Sequence, residues 1–131
     1  MIEFEGLASV ADVARAQALR RGGESALVFD GRAMTFADVN VMASRIANAL
    51  IEFGIQTQER IAYLSKNADH FLPCLLGACK ARATLTPFNF LLAAPEIAAC
   101  LRTAALGFSW LVRMSPTSRT TRSPRSPRSL E

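Results

Sequence analysis

From Thr35 onward, apolar side chains recur at steps of three and four: Val39, Met42, Ala43, Ile46, Ala49, Leu50 and Phe53. This is the period of a helix with one apolar stripe. Thr35 and Asp38 have the spacing of a capping box at its start, and Gly54 ends it. The same spacing occurs at Ser9 and Asp12, which predicts an earlier helix ended by Gly22-Gly23. Between the two helices, ALVF and RAMT flank Asp30-Gly31, a pair suited to the positive φ angles of a two-residue turn. A hairpin from about residue 26 to 35 follows.

Downstream the period changes. RIAYL (60–64) reads as a short buried strand, and Asn67 as the cap of a helix over 69–81 that is apolar nearly all round. A helix of that composition is covered on more than one side. Pro73 removes a backbone donor, so the sequence predicts either a kink there or a helix that starts later. ATLTPF gives a further strand, Pro95-Glu96 opens a further helix, and LGFSWLV (106–112) gives a last strand. Strand, helix, strand, helix, strand over 60–112 is the order of parallel βαβ units. The fold class expected is α/β, a partial and mostly parallel sheet with flanking helices, preceded by a helix and a β-hairpin.

Charge divides the chain in two. Through Val112, ten basic residues balance ten acidic ones; from Arg113 five arginines face Glu131 alone, so the formal excess of +4 lies in the last nineteen residues. The high pI therefore describes the tail and not a basic folded surface. The opening MIEFEG carries acids where a secretory or transit peptide needs basic residues, so a cytoplasmic chain is expected. The longest apolar run, FLPCLLGAC, is far short of the roughly twenty residues of a membrane-spanning helix. Cys74, Cys79 and Cys100 are odd in number and sit in apolar helical stretches, which argues against a disulfide framework.

The stretch from Met34 to Leu101 resembles the N-terminal part of the adenylate-forming (AMP-binding) enzymes, especially bacterial fatty-acid-CoA ligases. The likeness rests on Thr35-Phe36 at the head of the long helix, Ala-Asn-Ala-Leu followed by Gly54, and the strand ending before Asn67. It rests also on Gly77, Ala78, Lys80 and Ala81 of the next helix, and on Pro87, Asn89 and Pro95-Glu96. Three positions depart from the family pattern. Gln58-Glu59 stands where Gly-Asp is usual, Arg82 where a glycine follows Lys-Ala, and Leu91 where an arginine follows the Asn-aromatic pair. If the backbone at Arg82 is left-handed, arginine there is strained by roughly 1–2 kcal/mol.

The resemblance implies a reaction in two steps: a carboxylate attacks ATP to give an acyl-adenylate, and the thiol of coenzyme A then displaces AMP. ATP, Mg²⁺ and coenzyme A are the cofactors it implies for a full-length enzyme. Such chemistry needs backbone amides around phosphates, a cation to spread their charge and a lysine at the leaving group. The seven glycines form no phosphate loop, and no Ser/Thr/Gly-Lys cluster occurs. No catalytic, cofactor-binding or metal-ligating residue is therefore assigned. His70 beside Asp69 could be a base, but no motif places a nucleophile for it. Cys74 and Cys79 are five apart, pointing about 140° from one another on a helix, which suits small buried side chains and not a metal.

The tail, with Ser-Pro-Arg written twice over 123–128, could pair with polyanions by counterion release. Nucleic acid is nevertheless not the expected partner, because the Arg, Ser, Thr and Pro mixture is also what an out-of-frame reading of GC-rich codons gives. The expectation is a truncated ligase: residues 1–112 as a partial N-terminal domain, 113–131 as a disordered tail, and the frame lost between Thr103 and Leu111. Such a piece is expected to be non-catalytic alone. Its uncovered apolar surface would self-associate or meet a separately encoded ligase remainder.

Overall fold

The computed structural model describes residues 8–66 and 68–103, together with the backbone of 110–113. The element order is α1 (Val10–Arg21), β1 (Ser25–Phe29), β2 (Arg32–Thr35), α2 (Phe36–Glu52), β3 (Arg60–Leu64), α3 (Phe71–Lys80), β4 (Thr84–Phe88), α4 (Ala94–Thr103) and β5 (Trp110–Arg113). It is the α/β order read from the sequence. The described residues fall into two compact units, one of 8–57 with 68–83 and one of 58–66 with 84–103 and 110–113.

In the first unit β1 and β2 pair antiparallel, with Phe29 opposite Arg32. Asp30 (φ 49°) and Gly31 (φ 73°) both adopt the positive angles that a tight hairpin turn of this hand demands. Thr35 then caps α2 by a complete reciprocal exchange. Its Oγ1 accepts from the Asp38 backbone N–H (3.1 Å), and its own backbone N–H donates to Asp38 Oδ2 (3.0 Å). Asp12 similarly receives the Ser9 backbone N–H at 3.0 Å at the head of α1. Ala14, Val39, Ala43 and Leu76 form the buried centre of this unit, and Ala26, Met34 and Leu72 pack against it. Every helix of the unit and both strands of the hairpin contribute to that cluster.

The buried stripe of α2 is Val39, Ala43, Ala47 and Leu50. It is displaced from the one expected, since Met42 is 38% and Phe53 51% exposed and Ala49 is also exposed. The reason lies in α3. A β-carbon at Gly77 would sit 2.7 Å from Ile46 Cγ2 and 2.9 Å from the Ala43 carbonyl oxygen, so the backbones approach closely along the line of small residues. That close approach turns Ala43 and Ala47 inward and leaves Met42 and Phe53 outward.

Helix α3 begins at Phe71, so Pro73 falls in the first turn, where its missing N–H costs no intrahelical bond. Of the two outcomes the proline allowed, the later start is the one adopted. Asn67, expected to be the cap, lies outside the described residues. Pro73, Cys74, Leu76, Gly77 and Ala78 are buried, a spread of about 200° around the axis, and no residue of the helix is exposed. The all-round apolarity of the sequence thus has its counterpart in all-round cover.

In the second unit the strand order is β4-β3-β5, and both pairings are parallel. Successive residues Ile61, Ala62 and Tyr63 of the central strand are buried, so both of its faces are covered, as a near-continuous apolar run implies. Pro87 is exposed on the edge strand β4, the place in a sheet where a residue without an N–H is tolerated. Strand β5 contains residues 110–112 of the last strand expected and includes Arg113, one residue past the predicted domain boundary, while residues 106–109 of that expected strand lie outside the described residues. Residues 114–131, the rest of the tail, lie outside the described residues.

Candidate functional site

The groups with chemical potential gather at the two ends of α3. At its start, Asp69 Oδ2 accepts Arg32 Nη2 at 2.9 Å, joining the hairpin to the segment before the helix. His70 Nδ1 lies 3.6 Å from the other Asp69 oxygen, beyond hydrogen-bond distance. The Asp-His pair read from the sequence is therefore adjacent but not hydrogen-bonded as a base held by its orienting carboxylate, and the other oxygen of that carboxylate pairs with Arg32. With Arg32 67% exposed, this ion pair contributes at most about 1 kcal/mol.

At the other end, Lys80 Nζ donates to Asn40 Oδ1 (2.7 Å) and to Ser44 Oγ (2.8 Å) on α2. Asn40 and Ser44 are one helical turn apart and so present both oxygens to a single ammonium. The partial burial of Lys80, and then the repulsion of Arg15, hold its pKa below the usual lysine value. In the sequence Lys80 stands only as part of the helix's Gly-Ala and Lys-Ala pattern, with no contact implied. The available signal was the polar pair at 40 and 44 beside the buried stripe of α2. The lysine fastens α3 to α2 through these two neutral acceptors.

Burial pushes the Cys74 thiol up to about 11, which keeps it protonated and inert at neutral pH. Cys79 is half-buried and Cys100 exposed, and the three remain thiols. Among the described residues no group of three His, Cys, Asp or Glu side chains could hold a metal ion. Nor is any described helix long and apolar enough to cross a membrane.

Each helix of the α2 and α3 pair ends in a backbone motif and not in a ligand loop. After α2, Gly54 N–H donates to Ile51 O (2.9 Å) and Ile55 N–H to Leu50 O (3.1 Å). After α3, Arg82 N–H donates to Cys79 O (3.0 Å) and Ala83 N–H to Ala78 O (2.9 Å). Both are Schellman endings, which require a left-handed residue at the turn, and Gly54 (φ 85°) and Arg82 (φ 60°) provide it. Gln58, just before β3, is left-handed as well (φ 67°). The two positions at which the sequence lacks a family glycine are thus both in the conformation that glycine adopts without cost.

Comparison with known proteins gives this scaffold its place. Residues 14–123 match the family described as AMP-binding enzyme. The chain belongs to that family. The matched span continues past the 103–111 stretch and into the basic tail. Among its relatives, a fatty acid–[acyl-carrier-protein] ligase of Streptomyces coeruleorubidus is 35% identical over 77 residues, covering 59% of this chain and 15% of the relative. A long-chain-fatty-acid–CoA ligase of Mycobacterium tuberculosis is 41% identical over 64 residues, covering 49% of this chain and 13% of the relative.

Solved structures agree with the fold. A long-chain-fatty-acid CoA ligase from Rhodopseudomonas palustris superposes with a TM-score of 0.72 at 31% identity, covering 79% of this chain and 26% of that one. The N-terminal subdomain of Klebsiella oxytoca NpsA gives 0.73 over 86% of this chain and 29% of that one, and at 22% identity this is a likeness of fold alone. The chain therefore spans a small part of the length of the relatives it matches, and its α/β architecture is that of their N-terminal subdomain.

Proposed function

We propose that these 131 residues are the N-terminal scaffold of an ATP-dependent fatty-acid–CoA ligase and do not by themselves activate a carboxylate. The observation that supports the family reaction is the AMP-binding match over residues 14–123. Fatty acids are favoured as the substrate class by the relatives at 35% and 41% identity, whose names specify fatty acids. The reaction is attack of a carboxylate on ATP, releasing pyrophosphate, followed by attack of the coenzyme A thiol on the acyl-adenylate, releasing AMP.

The described residues do not fit ATP, Mg²⁺ or coenzyme A. The glycines are spread along the chain, and Gly31 and Gly54 serve turns. Lys80 is occupied with Asn40 and Ser44, and Asp69 with Arg32. No step of the reaction is therefore assigned to a side chain described above. In this reading the chemistry requires further residues, supplied as a ligase remainder to which this scaffold docks.

The test is acyl-CoA formation from a long-chain fatty acid, MgATP and coenzyme A. It is run with the purified chain alone, and then with the chain mixed with a relative's ligase from which the matching N-terminal segment has been removed. The reading expects no thioester from the chain alone and activity on mixing. Thioester formation by the chain alone would overturn it.

A further inference from the structure

We draw no further inference here: the strongest candidate, the half-buried Lys80 amine held by Asn40 and Ser44 between α2 and α3, carries nothing beyond the helix-to-helix link already described, since only its lowered pKa would mark it as reactive.

Discussion

Gly54 and Arg82 hold the same position in the same helix-ending motif, one after α2 and the other after α3, each with both of its backbone hydrogen bonds formed. The bonds are equally good at the two ends. What differs is the cost of the left-handed backbone, which is small for glycine and roughly 1–2 kcal/mol for a residue with a β-carbon. Against this, glycine loses more freedom on folding, by about 0.5–1 kcal/mol. The steric term wins, so Arg82→Gly should stabilise the chain by about 0.5–1 kcal/mol. Gln58→Gly, at φ 67°, should do so by a similar amount. Urea midpoints measure both, and a loss of stability in either variant would show that the arginine or glutamine makes contacts worth more than the strain.

Gly77 should behave in the opposite way. Alanine is the better helix former by about 1 kcal/mol, yet its β-carbon would meet Ile46 Cγ2 at 2.7 Å, Ile46 Cβ at 2.8 Å and the Ala43 carbonyl oxygen at 2.9 Å. Two of the three obstacles are parts of a side chain near its root, and the third is helix backbone, so relief requires α2 and α3 to separate. Overpacking of this kind costs about 1–3 kcal/mol, which exceeds the propensity gain. Gly77→Ala is expected to lower the urea midpoint while leaving the far-ultraviolet circular dichroism of the folded chain unchanged.

Lys80 gives a prediction with a defined pH sign. Its folded pKa lies below that of the unfolded chain, first through desolvation and then through Arg15, so in the window below about 10.5 the unfolded state binds more protons. Stability contributed by this group therefore rises as pH climbs through the folded pKa and levels off above the unfolded value. Lys80→Met removes that rise. At neutral pH the same variant forfeits two hydrogen bonds, a net loss of about 1 kcal/mol. The difference in urea stability between the two proteins should widen from pH 7 toward alkaline values, and a constant difference would contradict the assignment.

How much of this was legible beforehand differs from element to element. The hairpin turn at Asp30-Gly31 and the Thr35–Asp38 cap were readable because both depend on residues within a few positions of one another. The left-handed backbone at Arg82 was readable as a condition, because the local helix-end pattern calls for a glycine there. The inward face of α2 was not. A period of three to four identifies a stripe but not its centre, and here the close approach of Gly77, thirty or more residues away in sequence, shifted it toward Ala43 and Ala47. The contacts of Lys80, separated from their partners by 36 and 40 positions, were invisible for the same reason. For the candidate site, the neighbourhood of Asp69 and His70 in sequence said nothing of Arg32, which pairs with one oxygen of Asp69.

The capping box of α2 makes an acid-side prediction. Asp38 is held below its ordinary carboxylate pKa by the Thr35 hydroxyl and then by the Thr35 backbone N–H. Its contribution is fully present above the unfolded value of 3.8 and is lost as pH falls through the lower folded value. Thr35→Ala should cost about 1 kcal/mol at neutral pH and bring the Asp38 carboxyl back toward its ordinary titration. A carbon-detected NMR titration of that carboxyl reads the shift, and an unchanged titration in the variant would rule out the cap as its cause.

The central proposal is that this scaffold, by itself, holds no site for a nucleoside triphosphate. Calorimetric titration of MgATP into the purified 131-residue chain, with a long-chain fatty acid present, tests it most directly. The account predicts no saturable heat up to millimolar nucleotide. A one-to-one isotherm with micromolar affinity would contradict it.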